Sequence, residues 1–378
     1  MIKFIHTADW QLGMTRTFLE GEAQARYSQA RIDAIRRIAK LATEEQCDFV
    51  TVGGDVFESN LLSRQTVLRS LDALRSFTVP VFLLPGNHDP LDITSIFTSR
   101  TFLDECPANV QVLGSTAPVR LDHLGVEIVG APWDSKRPLH DLVSDACSEL
   151  LPEEGTLRVV VGHGAVDTVA PDVDNPAIIH AKPVEAFLRD GIVHFVGLGD
   201  RHSATQIGSS GRFWYSGTPL VTAFEEVQPN RVLLVELDAT SATVEERSIG
   251  EWQFLSPSFD LGSEDDVDAL ERWFDSLANK QNTVVKLSLV GTISLTLNAR
   301  LQAVLDRNSE LLASLDRWER HDDLHVLPSV DDVDSIGLSG FASGALHELL
   351  ATARAGGDGA SDAEDALALL FRLAGGTR

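Results

Sequence analysis

Along roughly the first 200 residues, short runs of β-branched and aromatic residues stop at polar clusters and give way to longer stretches with helical spacing of apolar positions. That alternation predicts an α/β chain. The strand-like runs are Lys3–His6, Phe49–Val52, Val79–Leu84, Glu127–Gly130, Leu157–Val161 and Ile192–Leu198; the helical ones are Glu22–Glu45, Arg64–Phe77, Pro138–Leu150 and Pro183–Arg189. Directly behind the strands come Asp9 and Gln11, Asp55, Asn87 with His88, His163, and Asp200 with His202. Open α/β sheets collect their sites at the carboxyl ends of strands, so these residues are expected to converge.

From Gly208 to Ser248 the runs shorten, as at Arg231–Leu237 and Thr243–Glu246, which predicts an antiparallel section closing a unit over residues 1–250. Beyond it, a strand at Val284–Val290 between helices at Glu264–Leu277 and Asn298–Leu315 predicts a small α+β domain over residues 251–340. Residues 341–378 read as a helical segment, with amphipathic pieces at Ser343–Arg354 and Asp362–Leu373 that dock on the body or on a partner. No internal repeat is visible.

Composition narrows the function classes. The 378 residues carry 31 Lys+Arg against 56 Asp+Glu, a net charge of -25, so a protein that coats polyanions indiscriminately is excluded and any nucleic-acid contact is local. Cys47, Cys106 and Cys147 lie far apart without zinc-ligand spacing, as thiols in a reducing compartment do. The first residues lack the apolar stretch of a signal peptide and no run reaches a bilayer-spanning length, so a cytoplasmic location and no membrane association are expected.

The chemistry lies in the repeated strand-loop pattern. Gly53-Gly54-Asp55 and Gly86-Asn87-His88-Asp89 each follow an apolar run in the same manner. A pair of divalent cations needs one carboxylate with both oxygens free as a bridge, and Asp55 suits that place; Asn87 offers an amide oxygen, and Asp9, His163 and His202 can complete the two shells. Any one triplet alone reads as a turn. Five in order, each after a strand, read as a two-metal centre.

The ordered motifs Asp9-Trp10-Gln11, Gly54-Asp55-Val56-Phe57, Gly86-Asn87-His88-Asp89, Gly162-His163 and Gly199-Asp200-Arg201-His202 resemble those of the calcineurin-like metallophosphoesterases. His6-Thr7-Ala8-Asp9-Trp10 with Leu12-Gly13, and Tyr215-Ser216-Gly217-Thr218-Pro219, are similar more narrowly to the SbcD-type DNA double-strand-break repair exonuclease subunits. The resemblance covers residues 1–250 and implies a layered α/β metallophosphoesterase sandwich, with residues 251–340 as a small α+β capping domain and C-terminal helices after it. It implies one metal on Asp9, Gln11, Asp55 and His202 and a second on Asp55, Asn87, His163 and Asp200. It also implies DNA as substrate, a homodimer and an SbcC-like coiled-coil ATPase as partner. Two positions depart from the family pattern, which has His where this chain has Gln11 and Asp200. Replacing imidazole nitrogens by oxygens shifts preference towards Mn²⁺, with Mg²⁺ also suited, and away from Zn²⁺. The added carboxylate makes the metals weaker Lewis acids and calls for higher pH or slower turnover.

The expected activity is that of a two-metal phosphodiesterase, a DNA exonuclease or endonuclease, with both ions as Lewis acids. His88, beside Asn87, is expected as general acid, with Asp89 orienting or charging its ring. Two rivals share the residues: a phosphomonoesterase or cyclic-nucleotide phosphodiesterase, and a weakly active scaffold for the ATPase. Arg16, Arg64 and Arg201 stand near the loops and are candidates for DNA phosphates, whereas Arg26, Arg31, Arg36, Arg37 and Lys40 read as a solvated helix face. His194 is read as a hydrogen-bonded core residue, His6 as a candidate support for the ligands, and Trp10 and Trp133 as packing beneath the site in preference to stacking on a base.

Overall fold

The structure, a computed structural model, describes residues 1–170, 175–327, 340–355, 357, 359, 360, 362, 363, 366 and 367. The chain divides into two compact units, Met1–Trp252 and Gln253–Arg378.

In chain order the first unit contains β1 (Ile2–Thr7), α1 (Gly21–Glu44), β2 (Phe49–Val52), α2 (Arg64–Leu74), β3 (Val81–Leu83), α3 (Arg100–Glu105), β4 (Val110–Val112), β5 (Val119–Leu121) and β6 (Val126–Gly130). It continues with α4 (Leu142–Ser148), β7 (Leu157–His163), α5 (Ala181–Arg189), β8 (Phe195–Gly199), β9 (Thr205–Gln206), β10 (Phe213–Tyr215), β11 (Arg231–Leu237) and β12 (Ala242–Ser248). The described residues form two six-stranded sheets, ordered β12-β11-β1-β2-β3-β4 and β5-β6-β7-β8-β10-β9. β1 to β4 run parallel, as do β6, β7, β8 and β10; β11 and β12 close the first sheet antiparallel.

Alternation along each strand makes the layers. Phe4, Phe49 and Phe82 of the first sheet meet Ile128, Val159, Val161 and Phe195 of the second in one buried cluster, while Ile5, Val50 and Val52 face Ile32, Ile35 and Leu71 of α1 and α2. Val129, Val160 and Val196 face Val143, Val184 and Leu188 of α4 and α5. The result is a helix–sheet–sheet–helix sandwich, and strands covered on both faces explain the continuous apolar runs in the sequence. Phe4 stacks on Phe49 at 4.8 Å and meets Phe195 edge-on at 5.4 Å, which ties the sheets at their centre.

Helix starts follow local chemistry. Ser63 accepts from Thr66 N ahead of α2, and Asp141 accepts from Ser144 N ahead of α4, so α4 begins after Asp141 rather than at Pro138. Arg31 differs from the solvated face read for α1: it is 2% exposed, donates to the Trp10 carbonyl at 2.9 Å and the Tyr27 hydroxyl at 2.6 Å, and lies over the Tyr27 ring. Its charge anchors the loop after β1 from behind.

The second unit contains β13 (Gln253–Leu255), β14 (Ser258–Leu261), α6 (Glu264–Ser276), β15 (Thr283–Ile293), α7 (Leu295–Ser309), β16 (Ser314–Arg317), β17 (Asp323–Val326) and α8 (Phe341–Ala355). β15 pairs in parallel with β13 and β16 along its first half and with β14 and β17 along its second. Val285, Leu287 and Leu289 pack against α6 and α7 through Val267, Leu270, Phe274, Leu301 and Val304. α7 stops at Ser309 and does not reach Leu315, because the Asn308 carbonyl accepts from Leu311 and Leu312 and turns the chain into β16. Leu346, Leu350 and Ala353 of α8 cluster with Ala363 and Leu367, with Leu327 packed beside them. The rest of the helix expected at Asp362–Leu373, including Leu369, Leu370 and Leu373, lies outside the described residues. No described helix is long and apolar enough to cross a membrane.

Candidate metal centre

The loops after β1, β2, β3, β7 and β8 meet at one end of the two sheets of the first unit. Gly53 N donates to the Thr7 carbonyl, Asp9 N to Gly54, and Gln11 N to Asp55, so the first two loops are laced together by their own backbone. Asp9 (φ 53°), Gln11 (φ 43°) and Asp55 (φ 51°) in these laced loops, and Asp200 (φ 93°) in the loop after β8, take positive φ. Backbone strain of this kind persists where the surroundings over-determine it. Gly86 permits a close approach: a Cβ there would stand 2.3 Å from Asp55 Oδ1.

Asp9, Asp55 and His163 are all buried, and one ligand atom from each lies within 4.8 Å of the others. His163 Nδ1 faces the Gly53 carbonyl at 2.8 Å, which turns Nε2 to the cluster. Nε2 is 2.6 Å from Asn87 Oδ1, 3.4 Å from Asp55 Oδ1 and 3.9 Å from Asp200 Oδ1. The same Asn87 amide atom is 3.2 Å from both Asp55 oxygens. With its nitrogen in that position the Asn87 amide donates to both Asp55 oxygens and to His163 Nε2; with its oxygen there, acceptor faces acceptor and a cation among them relieves the repulsion. His202 Nε2 points at Asp9 Oδ1, 3.9 Å away, and at the Gln11 amide, 3.5 Å away. Gln11 Oε1 is buried without a hydrogen-bond partner.

Electrostatics point the same way. Burial pushes the Asp9 carboxyl up to about 7, with Asp55 and Asp200 adding to the effect and His202 and His163 opposing it. Burial alone would lower His163, but the Asp55, Asp9 and Asp200 carboxylates hold it up at about 9. In His202 the same contest is won by the Glu226 hydrogen bond and the Asp9 charge, which raise it above the usual histidine value. The same carboxylates that raise the two histidines would attract divalent cations into that place. The orphaned Gln11 oxygen and the oxygen-rich donor set fit such cations.

His88 lies at the rim, with its side chain 38% exposed. Its Nδ1 is 3.0 Å from the Glu58 carbonyl and its Nε2 3.8 Å from Asp55 Oδ2, while its backbone N–H donates to Asp55 Oδ1 at 3.0 Å. The ring's support is Glu58, a residue that sequence reasoning misses; its Oε2 is buried without a hydrogen bond, 3.9 Å from His88 Nδ1, and burial raises its pKa. Asp89 does something other than orient that ring. It accepts Gly86 N–H at 2.7 Å and Phe57 N–H at 2.9 Å, so both oxygens are committed to the backbone.

Supporting residues line the underside. His6 Nδ1 is 2.9 Å from Thr51 Oγ1 and Nε2 3.1 Å from the Leu198 carbonyl, linking the sheets, and burial holds it down at about 4. Trp10 Nε1 donates to Thr7 Oγ1 and Trp133 Nε1 to the His163 carbonyl. His194 Nδ1 accepts from Arg158 N. Of the three arginines expected at DNA, Arg16 donates to the Thr222 carbonyl at 2.6 Å and braces that loop; Arg64 is exposed at the start of α2, and Arg201 is exposed beside Asp200, with Nε donating to Thr205 Oγ1.

Residues 2–204 match the family of calcineurin-like phosphoesterases. Among curated proteins, the chain is 25% identical over 262 residues to the DNA double-strand break repair protein Mre11 of Methanosarcina mazei, covering 67% of this chain and 39% of that protein. It is 31% identical over 216 residues to the protein of the same name from Archaeoglobus fulgidus, covering 51% and 46%. To the SbcD component of the SbcCD nuclease of Bacillus subtilis it is 29% identical over 160 residues, covering 40% and 38%. The matched regions thus span less than half the length of each of these relatives.

Proposed function

Since the chain belongs to the calcineurin-like phosphoesterase family, we propose that it is a metal-dependent DNA nuclease subunit acting in double-strand-break repair. The observation that carries the reading is the convergence of Asp9, Asn87 and His163 on Asp55 from four strand ends. The names of the Mre11 and SbcD relatives support the substrate class.

In this reading Asp9, Gln11, Asp55 and His202 hold one divalent cation, and Asp55, Asn87, His163 and Asp200 hold the other. Mn²⁺ suits the oxygen-rich donor set better than Zn²⁺, and Mg²⁺ is the alternative. When bound, the cations neutralise phosphate oxygens and lower the pKa of a water. His88 supplies the proton: Nδ1 is steadied by the Glu58 carbonyl, and Nε2, at the half-exposed rim 3.8 Å from Asp55 Oδ2, is placed to reach the leaving oxygen. Arg64 and Arg201, both exposed, are assigned to DNA phosphates. The partner is an SbcC-like coiled-coil ATPase, and the nuclease pairs with a second copy of itself. An acidic chain is compatible with that assembly, since the partner can contribute positive charge toward DNA.

The test is purified protein with Mn²⁺ on bis-p-nitrophenyl phosphate, a phosphomonoester, and end-labelled single- and double-stranded DNA. Cleavage of the diester and DNA supports the reading. Turnover of the monoester alone replaces it with a phosphatase, and no turnover on any substrate with metal bound replaces it with a scaffold.

A further inference from the structure

His202 and His163 are held by different chemistry. His163 Nδ1 faces a neutral backbone carbonyl, that of Gly53. His202 Nδ1 faces a carboxylate, Glu226 Oε1, at 2.9 Å, with Thr222 Oγ1 at 2.6 Å. Glu226 comes from the loop that leaves the last strands of the second sheet, 24 residues beyond His202. Its side chain is only 6% exposed. The carboxylate is pinned by Thr222 N–H, Ala223 N–H and the Thr222 hydroxyl, so it cannot swing away from the ring. Val227 N–H donates to Ser203 Oγ and ties the loop back beside His202.

A neutral imidazole has one proton, and a carboxylate at Nδ1 keeps it there. The lone pair is then on Nε2, the nitrogen that faces Asp9 and Gln11. An anionic partner also makes the ring a stronger donor than a carbonyl partner does. This matters most on that side of the centre, because Gln11 is a weak neutral ligand there. We propose that Glu226 is a positioning residue that fixes the Nδ1–H tautomer of His202 and strengthens the Asp9–Gln11–Asp55–His202 half of the centre, leaving the other half to its own ligands. The proposal rests on the reading of His202 as a metal ligand.

The experiment is calorimetric titration of Mn²⁺ into the metal-stripped full chain, for the unaltered protein, Glu226→Gln, Glu226→Asp and His202→Ala, with metal-free melting temperatures alongside. The Gln side chain keeps an acceptor for the Thr222 and Ala223 N–H groups but removes the charge. The expected result is one ion weakened about 10- to 100-fold in Glu226→Gln, the scale for losing such a support, with the second ion and the metal-free melting temperature unchanged. Glu226→Asp is expected to fall between Gln and the unaltered protein. If Glu226→Gln binds both ions normally while His202→Ala loses one, the proposal is overturned and the metal centre stands. If the Gln and Asp variants lose both ions alike, Glu226 only holds its loop and the proposal is again overturned. If the unaltered protein binds no Mn²⁺, or His202→Ala binds as it does, the reading of the centre fails and the proposal with it.

Discussion

Asp89 Oδ2 accepts the backbone N–H of Phe57 at 2.9 Å, joining the loop after β3 to the loop after β2 across 32 positions of sequence. Its other oxygen takes Gly86 N–H, so one buried carboxylate sets the distance between the loop that carries Asp55 and the loop that carries Asn87 and His88. Removing it leaves two buried donors unsatisfied. Asp89→Ala is expected to lower stability by about 3 kcal/mol, from two buried N–H groups left without an acceptor, measured by urea unfolding in chelator at pH 8, above the value of about 7 to which burial and then the Asp55 charge push this carboxyl. Unchanged stability with a selective loss of turnover would restore Asp89 to the role of ring-orienting acid.

His88 behaves oppositely. It is half-exposed at the rim, and its ring supports nothing else by a hydrogen bond except its own seat on the Glu58 carbonyl. His88→Ala is expected to keep stability and Mn²⁺ stoichiometry while lowering diester turnover about 10²-fold or more, the scale of lost general-acid help. Loss of a metal ion in that variant, measured by calorimetry, would make His88 a ligand.

His6 predicts an acid weakness of the fold. Burial holds its pKa at about 4, against about 6.5 for an unfolded histidine. The unfolded state therefore takes up a proton first as pH falls, and the stability present above about 6.5 is lost as pH drops towards 4. Between pH 7.5 and 5 the loss from this group is about 2 kcal/mol. Urea unfolding in chelator at the two pH values, for the unaltered protein and His6→Gln, isolates the contribution: the variant is expected to show a smaller pH dependence by about that amount, and an equal dependence would show that His6 is not the buried neutral group.

The thiols give a simpler check on the cores. Burial pushes Cys147 up to about 12 and Cys47 up to about 11, and Cys147 is fully buried behind the second sheet. Both are expected to resist iodoacetamide at pH 8 in native protein and to react in denaturant, read by mass spectrometry. Fast native labelling of Cys147 would contradict the packing of α4 on β7.

Much of the fold and the centre is readable from residues alone because the signal is local. Asp9, Asp55, Asn87, His163 and His202 each follow a run of β-branched and aromatic residues, and a strand that ends in a candidate ligand writes both features side by side. β4, β5, β9 and β10 are two or three residues long and leave no such period to read. α7 reads too long from the sequence since Leu311, Leu312 and Leu315 keep a helical spacing, and only the Asn308 turn, a tertiary feature, sends them elsewhere. Arg31 resembles any helix-surface cation; what buries it is the Trp10 carbonyl, 21 positions away. Glu226 and Glu58 carry no motif at all. Their roles come from where a loop folds back, and an acidic residue three positions after Asp55 is the one trace of either in the sequence.

The most direct measurement is anomalous diffraction at the manganese edge from crystals grown with Mn²⁺. The account predicts two peaks, both in contact with the Asp55 carboxylate, one also touching Asp9 and His202 and the other Asn87 and His163. An empty cluster, or ions that leave Asp55 untouched, would contradict it.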